Sequence, residues 1–195
     1  MIPRKYRFYL RISGLVLLHL TVLLAAVAAT GSRAATLLSD SEAGRRVMVD
    51  YIVHFAHHLQ WPIQVFSGTD APFRICVMGD DRLRGPLAKR LKHQRVNGRR
   101  VELEQVNMGE LLRARSCQIV VLGNMERESL MKTVGALEFF PVLTISDIER
   151  FAAAGGIIGF TGNGDTIALQ LNKTMLDRAE LKMGNSLFRL SREPE

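Results

Sequence analysis

A single apolar run from Ile12 to Ala29 decides which compartment the rest of this chain folds in. Arg4, Lys5, Arg7 and Arg11 precede it, and no acidic residue occurs before Asp40. Basic flank, apolar stretch and the small residues Ala25-Ala26-Val27-Ala28-Ala29 follow one another in the order of a secretory signal peptide, with Ala26 and Ala28 the expected cleavage pair. Left uncut, the run would serve as an N-terminal membrane anchor instead. In both cases the positive flank stays in the cytoplasm and the remainder is exported to the periplasm. Residues 1–35 are therefore expected to be the leader, and residues 36–195 one domain of roughly 160 residues, enough for its own core.

Most of the charge belongs to the leader. The chain carries 26 Lys+Arg against 19 Asp+Glu, and five of those bases lie unopposed in residues 1–35. The exported part is left nearly balanced, so the basic isoelectric point reflects targeting and gives no reason to expect a nucleic-acid partner. Both cysteines, Cys76 and Cys117, lie in the exported part. In an oxidising compartment an even count points to a bridge, with two buried free thiols as the alternative. A bridge needs Cα atoms about 5.5 Å apart, which would set the first and third strands side by side.

Those strands follow from the pattern of the chain. Ser39-Asp40-Ser41-Glu42 reads as a capping box, and Val47, Met48, Tyr51, Ile52, Phe55 and Leu59 form the stripe of a helix that Pro62 closes. Apolar runs at 73–78, 118–122 and 141–145 read as buried strands, and Val101, Leu103 and Gln105 mark a looser one after the Asn97-Gly98 turn. Short helices are expected around Leu83–Leu91, Leu111–Leu112, Leu130–Leu137 and Ile148–Ala154, the last capped by Ser146-Asp147. Strands 157–160 and 167–171 form a hairpin across Gly162-Asn163-Gly164-Asp165, and two short helices, 175–181 and 186–190, end the chain. The fold class implied is α/β: a three-layer, mostly parallel sheet with an antiparallel hairpin on its C-terminal side.

The chemical motifs are weak. His54 and His58 share a helix face with His57 alongside, but no further ligand is spaced to complete a metal site, so solvated or packed histidines are expected and no metal or cofactor. Ser129-Leu130-Met131-Lys132 matches the S-x-x-K pattern of penicillin-interacting serine enzymes without their companion motifs, which leaves a serine enzyme using Ser129 and Lys132 only a remote alternative. Gly79-Asp80-Asp81 ends a strand, where a carboxylate pair either binds a cation or caps the next helix. Residues 82–100 hold eight bases and no acid. They are a solvated face or a site for an acidic or phosphorylated ligand through Arg82, Arg84, Lys89, Arg90 and Lys92. Trp61 beside Pro62 is a core plug or a contact residue, and Phe139-Phe140 a candidate exposed apolar contact. No catalytic set emerges.

Several stretches taken in order resemble one family. They are Phe55-Ala56 with Trp61-Pro62, then Ile75-Cys76-Val77-Met78-Gly79-Asp80 and Ser116-Cys117-Gln118-Ile119-Val120-Val121, then Pro141-Val142-Leu143-Thr144-Ile145-Ser146-Asp147 with Phe151. Gly155-Gly156-Ile157-Ile158, Leu171-Asn172, Leu181-Lys182 and Leu187 complete the set. The chain is similar to the YfiR family of periplasmic regulators from about Val47 to Leu190. That resemblance implies a non-enzymatic α/β domain that binds the periplasmic region of an inner-membrane signalling protein. The best-understood partner is the diguanylate cyclase YfiN, whose repression lowers cyclic di-GMP and biofilm formation; histidine kinases occur as other partners, and a homodimer is compatible. It also implies that Cys76 and Cys117 pair, while a second cysteine pair carried by the family's namesake has no counterpart here.

Overall fold

The computed structural model describes residues 37–79, 82–163, 166–184 and 191–192. The leader, Asp80-Asp81 and the expected helix over 186–190 lie outside the described residues. In chain order the elements are α1 (Glu42–His58), β1 (Leu59–Gln60), β2 (Phe73–Met78), α2 (Arg84–Leu91), β3 (Arg95–Val96), β4 (Arg99–Val106) and α3 (Leu111–Ala114). They continue with β5 (Ile119–Leu122), α4 (Arg127–Leu137), β6 (Leu143–Ser146), β7 (Ile158–Asn163), β8 (Thr166–Leu171), α5 (Lys173–Arg178), β9 (Lys182–Met183) and β10 (Ser191–Arg192).

Every residue of β5 and β6 is buried, which requires helices on both faces of the sheet. The strand order is β10-β8-β7-β6-β5-β2-β4-β3. Strands β4, β2, β5, β6 and β7 run parallel, whereas β7–β8 is the antiparallel hairpin and β3–β4 a short antiparallel edge. Alternate side chains feed two cores. Ile75, Val77, Ile119, Val121, Leu143 and Ile145 pack with α1, α2 and α5, while Cys76, Met78, Val120 and Leu122 pack with α3, α4 and the loop at Phe151. This is the three-layer α/β arrangement expected from the sequence, and β2 and β5 are neighbours in register Ile75↔Ile119.

The structure departs from the sequence reading in three places. First, α1 is capped by Ser41, whose hydroxyl accepts the Gly44 N–H at 2.9 Å, because Ser39 is engaged elsewhere: its N–H donates to the buried Asp147 carboxylate at 2.7 Å. Second, α1 stops at His58, short of Pro62, because Leu59–Gln60 leaves the helix to pair with Met183 and Lys182. Third, the expected helix over 148–154 is a series of tight turns. Arg150 sits at φ 57°, left-handed geometry that a continuing right-handed helix excludes. Ser146 closes the first of these turns instead of capping a helix: its hydroxyl accepts the Ile148 N–H and donates to the Leu122 carbonyl, while the Asp147 carboxylate takes the Ser39 N–H.

Gly44 permits the close approach that anchors the N-terminal turn. A Cβ there would lie 1.9 Å from the Leu38 carbonyl oxygen. Glycine inside an ordinary helix is normally improved by alanine by about 1 kcal/mol. Here the sign should reverse: Gly44→Ala is expected to destabilise the domain by about 1–3 kcal/mol in urea unfolding, because backbone must give way. A stabilised variant would refute this packing.

Candidate functional site at the disulfide end of the sheet

The N-terminal ends of β2, β5 and β6 are held together by one residue, Gln118. Its N–H donates to the Arg74 carbonyl at 2.9 Å, and its side-chain oxygen accepts the Arg74 N–H at 2.7 Å. Its carbonyl accepts both the Leu143 N–H at 2.9 Å and the Trp61 indole N–H at 3.1 Å. A buried polar side chain of this kind must be satisfied, and Gln118 Oε1 is satisfied by the Arg74 N–H, while the backbone carbonyl ties Leu143 and Trp61 to the head of β5. Hydrophobic patterning places Gln118 in a strand and says nothing of this role; the only cue is a glutamine heading an otherwise apolar run.

Next to it, Cys76 and Cys117 form a disulfide with Cα atoms 6.0 Å apart. Cys76 lies mid-strand in β2 opposite Val120, and Cys117 comes just before β5, so the bridge links adjacent strands. Both cysteines are buried.

Around this knot the three aromatic candidates from the sequence gather at one end of the domain. Trp61 is half-buried, its ring edge-on to Phe73 at 5.0 Å, so it is a plug with one open side. Phe140 is also half-buried, beneath the Arg115 guanidinium at 4.1 Å, and Arg115 donates from Nε to the Ala136 carbonyl at 3.0 Å. Phe139 is 71% exposed and is approached by Arg178, itself paired with Glu138. Ile63, on the other side, is 70% exposed. Two shallow cavities of 410 and 570 Å³ share Pro62, Gln64 and Glu180, and the first also reaches Arg115, Cys117 and Pro141. The result is a mixed surface on a cross-linked base, with exposed Phe139 and Ile63, flanking arginines, and Gln64 and Glu180 in the cavity walls. Aromatic and arginine side chains on such a base are the usual anchors of protein recognition.

The basic candidates are spread out. Arg82 pairs with Asp40, and Arg84 is exposed at the start of α2. Lys89, Arg90 and Lys92 instead line a groove beside α1, where Arg90 pairs with Asp50 at 3.2 Å. His54 and His58 stack with ring centroids 4.2 Å apart on the exposed face of α1. Partial burial, then the neighbouring His58 and His57, lower the His54 pKa below the ordinary histidine value. Among the described residues no group of three or more His, Cys, Asp or Glu could hold a metal. Ser129 is half-buried and Lys132 exposed on α4, where the Ser129 carbonyl accepts the Thr133 hydroxyl.

Residues 45–192 match the YfiR/HmsC-like family. The chain belongs to that family. No curated protein matches it. The YfiR/HmsC-like proteins are a regulatory, non-catalytic and periplasmic family, and among the described residues no helix is long and apolar enough to cross a membrane.

Two measurements check this geometry. Replacing Cys76 and Cys117 together by alanine, or reducing the unfolded chain, should lower stability by about 4 kcal/mol, the chain-entropy value for a loop of this length. In a histidine NMR titration His54 should protonate at lower pH than an isolated histidine, and His58→Gln should move it part of the way back up.

Proposed function

We propose that this member of the YfiR/HmsC-like family is a periplasmic regulator that binds the periplasmic region of an inner-membrane diguanylate cyclase and holds it inactive, lowering cyclic di-GMP. Family membership over residues 45–192 carries this reading. In it, residues 1–35 serve as the export leader and the domain that follows acts by binding alone, without catalysis or cofactor. The docking surface is the disulfide end of the sheet, with Phe139 and Ile63 as apolar anchors, Trp61 and Phe140 beneath them, and Arg115 and Arg178 at the rim.

Repression by binding requires unequal affinity for two partner conformations. A tenfold fall in cyclase output needs the inactive form to be bound at least about 1.4 kcal/mol more tightly than the active one, and more where the free cyclase is mostly active. An aromatic anchor whose pocket exists only in the inactive form would supply that difference, since truncating such residues commonly costs about 2 kcal/mol or more.

Deleting the gene should raise cellular cyclic di-GMP, and the domain should co-purify with the cyclase from solubilised membranes. Phe139→Asp should raise cyclic di-GMP as the deletion does and abolish co-purification, while leaving the melting temperature of the exposed-site variant within a few degrees of the parent. Unchanged cyclic di-GMP after deletion would overturn the proposal, and altered phosphorylation output in its place would transfer the partnership to a histidine kinase.

A further inference from the structure

We propose that the groove between α1 and α2 is a second docking site, and that it takes an acidic polypeptide segment. It is a 660 Å³ depression on the helical face formed by α1 and α2. Five cations line it: Arg45 and Arg46 from α1, Lys89 and Arg90 from α2, and Lys92 just after α2. Only Glu42 and Asp50 oppose them there. The exported part of the chain is nearly neutral, so this concentration of positive charge is local and does not follow from net charge.

The state of each cation selects the occupant. Arg45 donates from Nη1 to the Ser39 and Asp40 carbonyls at 2.7 and 3.1 Å. Arg46 pairs with Glu42 at 3.2 Å, and Arg90 with Asp50 at 3.2 Å. The arginine forks that grip a compact phosphate are thus already engaged. Lys89 and Lys92 have no ion-pair partner among the described residues, and both are exposed. Both line the groove, three residues apart along the chain. Its lining also includes the buried Val49 and the half-buried Pro86. Two unpaired ammonium groups beside apolar surface match carboxylates interspersed with apolar side chains along a peptide. A single dense anion would meet Glu42 and Asp50 at close range; an extended segment can pass them with its backbone.

The inference goes beyond the proposed cyclase repression and does not need the cyclase to be the partner. Its test uses a fluorescein-labelled peptide of alternating glutamate and leucine and reads fluorescence anisotropy with the purified exported domain. Binding should weaken steeply as salt rises from about 50 to 300 mM. Reversing both free charges, Lys89→Glu with Lys92→Glu, should weaken it about tenfold or more, since each pair across a rim contributes a fraction of that. The milder Lys89→Ala with Lys92→Ala pair should give an intermediate loss, which guards against a folding defect in the reversed variant. Arg127→Glu with Lys132→Glu, an equal change in net charge on exposed positions of α4, should leave affinity within about twofold. Equal losses for the two charge-reversed variants would overturn the proposal, because the attraction would then be non-specific. So would competition by inorganic pyrophosphate at matched charge, or binding to phosphatidylglycerol vesicles in place of the peptide.

Discussion

The fold depends on the junction of β2 and β5. A fully buried parallel strand pair must satisfy its ends as well as its middle, and here the ends converge on Gln118. Its single carbonyl takes two donors from different parts of the chain, and its side chain closes the Arg74 N–H that the ladder would leave open. The disulfide fixes the same two strands covalently. Remove this junction and Trp61 loses its hydrogen bond, β6 loses its first rung, and the surface around Phe139 loses its base. In the proposed docking, preorganisation of that surface would let an exposed phenylalanine contribute to binding without first being ordered.

Much of this architecture was legible in the sequence, because burial on both faces leaves apolar runs with no alternation. The runs at 73–78 and 118–122 read as strands for that reason. With the cysteines at fixed positions in or beside them, adjacency of the first and third strands followed from the reach of a bridge. The hairpin of β7 and β8 was equally legible from its glycine-rich turn. What failed to register were the places where long-range contacts outweigh local signals. Leu59 fits the helical stripe of α1, yet it lies in β1, since pairing with Met183 across the sequence satisfies its backbone. The stretch 148–154 has helical composition, but Arg150 takes a left-handed turn.

The candidate surfaces divide in the same way. Trp61, Phe139 and Phe140 could be singled out as large apolar residues in unusual settings, but only the fold brings Trp61 to the Gln118 carbonyl and Phe140 under Arg115. Gln118 and Arg115 give no sign of their roles, because a glutamine and an arginine near a strand are ordinary. On the basic segment, sequence adjacency was misleading. Arg82 and Arg84 precede the groove, whereas Arg45 and Arg46, nearly forty residues upstream, complete it. Helical periodicity explains the selection: Leu83, Leu87 and Leu91 face the core, which turns Lys89 and Arg90 toward α1.

Burial also constrains what the disulfide can do. Thiol–disulfide exchange needs an attacking thiolate to reach a sulfur in line, and both cysteines here lie beneath α3 and α4 with almost no accessible surface. A reductant must therefore wait for local opening of the central strands, among the most costly openings the domain can make. That makes this bridge a staple whose loss accompanies unfolding, poorly suited to reporting modest shifts in periplasmic redox poise. Signal entry into this domain is then better sought at surfaces that partners can reach, the arginine-flanked aromatic end and the cationic groove, where occupancy can change without opening the core.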